Sequence, residues 1–454
     1  MRVWLLTVGE PLPTDTGGDR TWRTGLLANQ LLKRGHEVVW WSSAFDHFQR
    51  RQRLRVNRPI PVSDGLTVWH LDGVPYARNI SVARIRNHRQ VARNFREQAP
   101  HQPRPDVILS SLPTLELCCA AVDYGDAHGV PVALDIRDLW PDVLVDFAPR
   151  AVRGLAQGAL HWMTRQLRYS TQRATALLGV TDEFVQWGLH SAQRDWRPVD
   201  RAFSMAYTGR APSPSELERA HRAWRERGIE DGSHQFLVCF FGTLGWMFDF
   251  DTVVRAAAHL RDAAPHIRFV ICGAGDRLEY LRRAASDLPN ILLPGRVDAS
   301  EIWWLLRRSS VGLAPYRPFG NFQHNLPNKP IEYLSAGVPI VASRLEVLAR
   351  LLQKHQCGIS YDPGDAQGLA QALVELSQHD DRRLSMSRRA ETLYRGHFVA
   401  ERVYDDMAAH LEQLAASGNA DRSLNSGSAS SSSTAWVRPD CPVDSDNHAA
   451  ALEA

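Results

Sequence analysis

LPNKPIEYLSAGVPIVAS, from Leu326 to Ser343, reads as a short helix followed by a buried strand. Pro330 suits the first turn of a helix, where no amide hydrogen is needed, and Gly337 suits its end, where a left-handed residue closes the last turn. The spacing predicts about two helical turns. Val338 to Ala342 is an apolar, β-branched run of the kind that fills a covered parallel sheet. The helix start, at Asn328 and Lys329, offers backbone amides and an ammonium to an anion such as a diphosphate. Glu332 lies one turn on, placed to accept hydrogen bonds from sugar hydroxyls. Alone, Lys329 and Glu332 read equally well as a solvated pair near a helix end.

Outward from this stretch, short apolar runs alternate with helical ones. VWLLTV near the N-terminus, a helix from Thr21 to Arg34 and a strand from Glu37 to Trp41 begin the pattern, which 106–111, 131–136 and 175–180 continue. A second set runs through 236–241, 267–272, 290–293, 311–315 and 338–343. Such alternation predicts right-handed βαβ units on parallel sheets. The fold class is therefore α/β, with two Rossmann-like domains. At 454 residues, 44% hydrophobic and 23% charged, the chain supports two separate cores. The expected limits are 1–200 for an N-terminal domain, 201–396 for a C-terminal domain, 397–416 for a last helix and 417–454 for a disordered tail. The Pro-, Ser- and charge-rich segment 195–233 reads as the connector, with a helix over 215–227. The Ser-rich run near residue 430 cannot bury enough apolar surface to order itself.

A net charge of +3 is too small to imply nucleic acid. Six cysteines, mostly in apolar runs and without metal-ligand spacing, suggest reduced thiols and a cytoplasmic protein. No apolar run approaches the length of a spanning helix, and VWLLTV reads as a strand rather than a signal peptide.

The pattern K-x-x-E-x-x-x-x-G-x-P-I-V-A-S resembles the donor-binding segment of glycosyltransferase family 4. GGDRTWRTGLLANQLLKRGHEVV, LDIRDLWPD, FFGTLG, ICGAGDRLEYL and GRVDASEI agree with that match in order, so the resemblance spans residues 1 to about 415. It implies a GT-B fold, with the two Rossmann-like domains facing across a cleft and the C-terminal helix crossing back to the first domain. It also implies a retaining hexosyltransferase that takes a nucleotide diphosphate sugar as donor and needs no cofactor or metal. The RDLWP signature is similar to that of a subgroup building bacterial surface polysaccharides, so the expected acceptor is a lipid-linked carbohydrate at the cytoplasmic face of the membrane. A GT-B nucleotide-sugar epimerase and a non-catalytic nucleotide-sugar-binding scaffold remain open alternatives.

Ligands of open α/β sheets bind beyond the carboxyl ends of the strands, which singles out three loops. In the first, Gly17 and Gly18 permit close backbone approach, with Arg20 and Arg23 adding charge; in the family this loop lies over the donor diphosphate. In the second, Arg137 and Asp138 are the candidates for sugar or acceptor contacts, Asp138 as acceptor of a hydroxyl proton. Arg137 among carboxylates reads also as a structural ion pair. Many family members carry a histidine at about this loop, and this chain has none. In the third, Gly242, Thr243 and Gly245 would approach phosphate oxygens.

Two departures from the family stand out. Thr243 and Met247 occupy the region where many members place an Arg and a Lys that grip the diphosphate, leaving Lys329, helix dipoles and Arg296 to offset leaving-group charge. The resemblance also implies a carboxylate pair spaced E-x7-E; Glu332 matches the later member, and His324 stands at the earlier. Arg296 and Val297 match the segment that reads the nucleotide base. Asp251 of the D-x-D at 249–251 reads as a helix N-cap rather than a metal ligand. Finally, the arginines between 78 and 104, and an apolar face of Leu155, Ala159, Trp162, Met163 and Leu167, read either as ordinary helix faces or as surfaces for anionic lipid.

Overall fold

The computed structural model describes residues 1–15, 21–146, 148–230 and 235–425. The chain divides into two compact units, Met1–Ser204 with Glu401 onward, and Met205–Ala400.

The first unit is built on a sheet of eight strands. In chain order its elements are β1 (Arg2–Leu6), α1 (Arg23–Lys33), β2 (Glu37–Ser43), the small hairpin β3 (Phe45–Asp46) and β4 (Arg51–Gln52), β5 (Arg58–Ser63), β6 (Leu66–Leu71), α2 (Val82–Gln98), β7 (Val107–Ser111), α3 (Leu115–His128) and β8 (Val132–Ile136). After these come α4 (Asp142–Asp146), α5 (Arg153–Ala159), α6 (His161–Arg173), β9 (Ala176–Gly179), α7 (Asp182–Ala192) and β10 (Arg201–Ala202). The sheet order is β10-β9-β8-β7-β1-β2-β6-β5. All pairings are parallel except β5 with β6. Central strands are buried on both faces, as a sheet covered by crossover helices requires. Trp4 lies at the centre of the core, with ring centroids 4.9 Å from Tyr124 and 5.1 Å from Trp41.

The second unit holds α8 (Pro214–Glu226), β11 (Phe236–Phe241), α9 (Phe250–Ala263), β12 (Ile267–Cys272), α10 (Leu278–Ala284), β13 (Ile291–Gly295), α11 (Ala299–Leu306) and β14 (Val311–Ala314). It continues with α12 (Gly320–Gln323), α13 (Asn328–Ser335), β15 (Ile340–Ser343), α14 (Glu346–His355), β16 (Gly358–Tyr361), α15 (Ala366–Gln378) and α16 (Asp380–His397). Its sheet is wholly parallel, in the order β13-β12-β11-β14-β15-β16. The order reverses beside β11, so a crevice opens between the loops after β11 and β14, where such sheets hold ligands. The last helix, α17 (Ala400–Asn425), belongs to the first unit from Glu401 onward.

Several expectations are corrected. The helix expected over 215–227 within the connector is present as α8, but it is no free-standing link: it carries a Ser213/Glu216 capping box, its Trp224 is fully buried and the indole donates to the Glu301 carbonyl at 2.9 Å. The last helix continues to Asn425, past the limit expected at 416; residues 426–454 lie outside the described residues. The apolar face over 152–173 does not exist as one surface. Leu160 separates α5 from α6, so that Trp162, Met163 and Leu167 are buried while Leu155 is 76% exposed. Of the arginines on α2, Arg84 stacks on Trp140, Arg89 on Trp162, and Arg96 pairs with Asp123 at 3.0 Å; only Arg86 and Arg93 of the five stand fully exposed. Cys118, Cys119, Cys239, Cys272 and Cys357 are buried free thiols, and Cys441 lies outside the described residues.

Candidate active site

The carboxyl ends of β11, β12, β13 and β14 define one edge of the second unit, and α13 begins on the same edge. Lys329 is the second residue of α13, a helix whose N-cap is Pro327 and whose first amides have no side-chain cap. Gly337, with φ of +66°, ends the segment as a left-handed residue.

The Lys329 side chain runs directly over Gly242. That glycine has φ of +135°, and a Cβ there would come within 2.5 Å of Lys329 Cε and 2.7 Å of Nζ. The absence of a side chain at 242 is therefore what admits the lysine. Its Nζ lies 4.7 Å from the Phe248 ring centroid and 5.4 Å from that of Phe240. Burial among these rings lowers the Lys329 pKa to about 8, against the opposing pull of the Glu332 charge. The ammonium is thus poorly solvated and gains from an arriving anion. Glu332 is buried on the same helix. Gly273, with φ of +143°, would place a Cβ 1.8 Å from the Gly242 carbonyl oxygen, and Gly275 would place one 2.3 Å from that of Leu244. Backbone therefore packs on backbone, with Gly242 N donating to Cys272 O at 3.0 Å and Gly273 N to Gly295 O at 2.7 Å. In sequence a lone G-x-G such as 273–275 is a weak signal that a tight helix-entry turn explains as well, so the frame itself shows only in the fold.

The other expected donor residues are spread along that edge. Thr243 is exposed, Gly245 is buried, and Met247 packs on the core, so neither departure position supplies a cation. Arg296 is exposed just beyond β13, and Val297 packs against the core. Asn328 is the exposed first residue of α13. His324 Nδ1 stands 3.5 Å from Glu346 Oε2. Gly17, Gly18 and Arg20 lie outside the described residues. Asp249 caps α9, accepting from Thr252 N at 3.4 Å, so the cap falls two residues before the expected Asp251. Asp251 instead takes Arg317 at 3.0 Å and Arg277 at 3.4 Å, which ties both arginines to a carboxylate. No group of residues able to hold a metal ion occurs among the described residues.

Arg137 and Asp138 follow β8 in the first unit. Arg137 donates through Nε to Asp135 at 2.6 Å and through Nη2 to Thr24 Oγ1 at 3.0 Å, and pairs through Nη1 with Glu10. Arg23, expected as a charge at a helix start, is fully buried: it forks onto Asp135 at 2.9 and 3.0 Å and donates to the Ser204 carbonyl at 3.1 Å. The two guanidiniums hold the buried Asp135 carboxyl far below the usual carboxylate range, outweighing desolvation that would raise it. Thr24 closes the network, donating to Glu10 at 2.8 Å. Asp138 is half-buried beside this network, and its charge acts on Arg84. Sequence spacing cannot reveal these partners, because Glu10, Arg23 and Asp135 meet only when β1, α1 and β8 assemble.

Residues 235–379, within the second unit, match the family model described as Glycosyl transferases group 1. The chain is 28% identical over 172 residues to a phosphatidyl-myo-inositol mannosyltransferase of Mycobacterium leprae, an alignment covering 35% of this chain and 45% of the relative. It is 26% identical over 166 residues to the lipopolysaccharide core biosynthesis glycosyltransferase LpsE of Rhizobium meliloti, covering 37% and 46%. The matched span is thus under half the length of each of these curated relatives. Among solved structures, sucrose-phosphate synthase from Thermosynechococcus elongatus superposes with a TM-score of 0.67 over 92% of this chain and 99% of the other, at 14% identity. HepE of Anabaena in complex with UDP gives 0.61 over 91% and 100%, at 13% identity. These likenesses establish a GT-B type of fold.

Proposed function

We propose, for a chain that carries a group 1 glycosyltransferase domain at residues 235–379 on a GT-B scaffold, that it is a retaining glycosyltransferase using a nucleoside diphosphate sugar. The observation that carries this reading is the poorly solvated Lys329 ammonium, lying over a glycine at the start of α13 with Glu332 one turn behind. The uncapped start of α13 and the Lys329 ammonium belong to one helix end, which suits the diphosphate of a donor and the charge that develops on it as the sugar departs. Glu332 would accept hydrogen bonds from donor hydroxyls. UDP is the nucleotide in the HepE complex and the first to test here.

In the first unit Asp138 is the proposed acceptor of the proton from the attacking hydroxyl. Arg137, bound on three sides by its own unit, would act by fixing that loop rather than by gripping the sugar. A lipid-linked carbohydrate acceptor and a role in surface polysaccharide synthesis follow from the RDLWP loop. Two separate features support them, the exposed Leu155 and Val152 beside Arg153, and the exposed Arg86 and Arg93 on α2, each of a kind suited to an anionic membrane surface. No helix among the described residues is long and apolar enough to cross a membrane.

The test is a panel of UDP-, GDP- and ADP-sugars scored for enzyme-dependent nucleotide release, with and without a membrane extract as source of acceptor. One donor should stand out, with release stimulated by the extract and abolished in D138N. Release from none of them, with or without extract, would refute the transferase reading.

A further inference from the structure

The first unit contains a cationic cluster that the donor site does not use. The turn joining β3 to β4 carries His47 and Arg50, the loop after β6 carries Tyr76, the first turn of α2 carries Arg84, and the loop after β8 carries Trp140. His47 Nδ1 and the Tyr76 hydroxyl are 2.7 Å apart. The Arg50 guanidinium lies 5.4 Å from the centre of the Tyr76 ring, and Arg84 lies 4.7 Å from that of Trp140. Burial holds His47 neutral, with a pKa near 4, and the charges of Arg84 and Arg50 push the same way.

The two arginines differ from their neighbours in what they touch. Arg23, Arg53, Arg96 and Arg194 each meet a carboxylate at ion-pair distance. Arg84 reaches instead the Asn79 carbonyl at 2.9 Å and His88 Nε2 at 3.4 Å, and Arg50 reaches the Asn79 side chain. Neither has a carboxylate partner at that distance among the described residues. Arg84 is half-buried and partly desolvated; the charge of Asp138 acts on it from the loop after β8 without reaching ion-pair distance, and Glu116 is itself buried beside His88 at 3.8 Å. A desolvated guanidinium lacking a counter-ion is unfavourable unless an anion completes it. Arg84 together with the exposed Arg50, a phenol and an imidazole, presented from two loops and the first turn of α2, matches the charge and the donor demand of a phosphate.

We propose that Arg50, Arg84, His47 and Tyr76 form a recognition subsite for a phosphate group on the acceptor. The assignment of that phosphate to an acceptor rests on the transferase reading above; the anion site itself does not.

The experiment uses the full chain and two probes. UDP is titrated first, and failure of that titration sinks the donor-site reading alone. Inorganic phosphate is then titrated calorimetrically with UDP in excess, and pelleting is measured with phosphatidylcholine vesicles with and without 20 mol% phosphatidic acid. Phosphate binding that falls about tenfold or more in R50Q and R84Q, and less in R84K, supports a soluble phosphorylated acceptor. The same dependence in the vesicle arm alone supports a lipid phosphate headgroup. Arg50 is exposed, so R50Q keeps the test open if R84Q fails to fold. Absence of binding in both arms, or binding indifferent to all three substitutions, overturns the proposal.

Discussion

Lys329 shows how much one side chain takes from its surroundings. An ammonium of ordinary pKa near 10.5 is brought to about 8 by burial against Phe240 and Phe248. For stability the sign is clear: the unfolded chain holds this proton to higher pH, so folding gains as pH rises from about 8 toward 10.5. For an anion the sign reverses, because a diphosphate prefers the charged lysine. UDP affinity should be level near neutral pH and decline several-fold as pH rises past about 8, measured calorimetrically on the free protein. K329A should bind UDP about ten- to a hundredfold more weakly at pH 7, as expected for a lost charged hydrogen bond, and show no such decline. An unchanged affinity in K329A would remove the lysine from the donor site.

At the scale of elements, the helix-strand reading of 326–343 was legible because Pro330, Gly337 and the run after it each have a local reason. The same holds for the alternation that marks β1, β2, β11 and β12. The frame beneath Lys329 was not legible, since Gly242 and Gly273 are far apart in sequence and acquire meaning only when β11 and β12 lie side by side. Nor was the burial of Arg23, a residue that sequence reading assigns to the surface. These glycines make a prediction. G242A and G273A share a backbone conformation that only glycine adopts readily, at about 1–3 kcal/mol each. Their added methyl groups meet different things. In G242A the obstacle is the flexible end of Lys329, which can swing away, so the variant should fold and lose about tenfold in UDP affinity. In G273A the obstacle is the Gly242 carbonyl, and the loops after β11 and β12 must separate, so the larger loss should appear in denaturant stability. A G242A protein with native UDP affinity would contradict the role given to that glycine.

For the whole molecule, the chain's two units do not have separate ends, because α17 returns to complete the first. Its Val403, Tyr404, Met407, Leu411 and Leu414 are all buried, and Tyr404 lies under the Arg23 guanidinium at 5.8 Å. On the solvent side Glu412 accepts from Arg34 at 2.8 Å and meets His36 at 2.6 Å, with Arg34 also held by Asp405 at 2.7 Å. Those exposed ion pairs contribute little. The five apolar side chains contribute roughly 1.5–3 kcal/mol each, on the order of 10 kcal/mol together, which is comparable to the whole stability of a domain. A chain ending at Val399 should therefore lose slow hydrogen exchange throughout β1, β2, β7 and β8 while β11, β12 and β14 keep theirs. Restoring only the charges cannot rescue it, whereas adding back a peptide of residues 400–425 should, in proportion to its concentration. Native protection of β1 in the shortened chain would mean that the first unit closes its core without α17, against the burial of those five side chains.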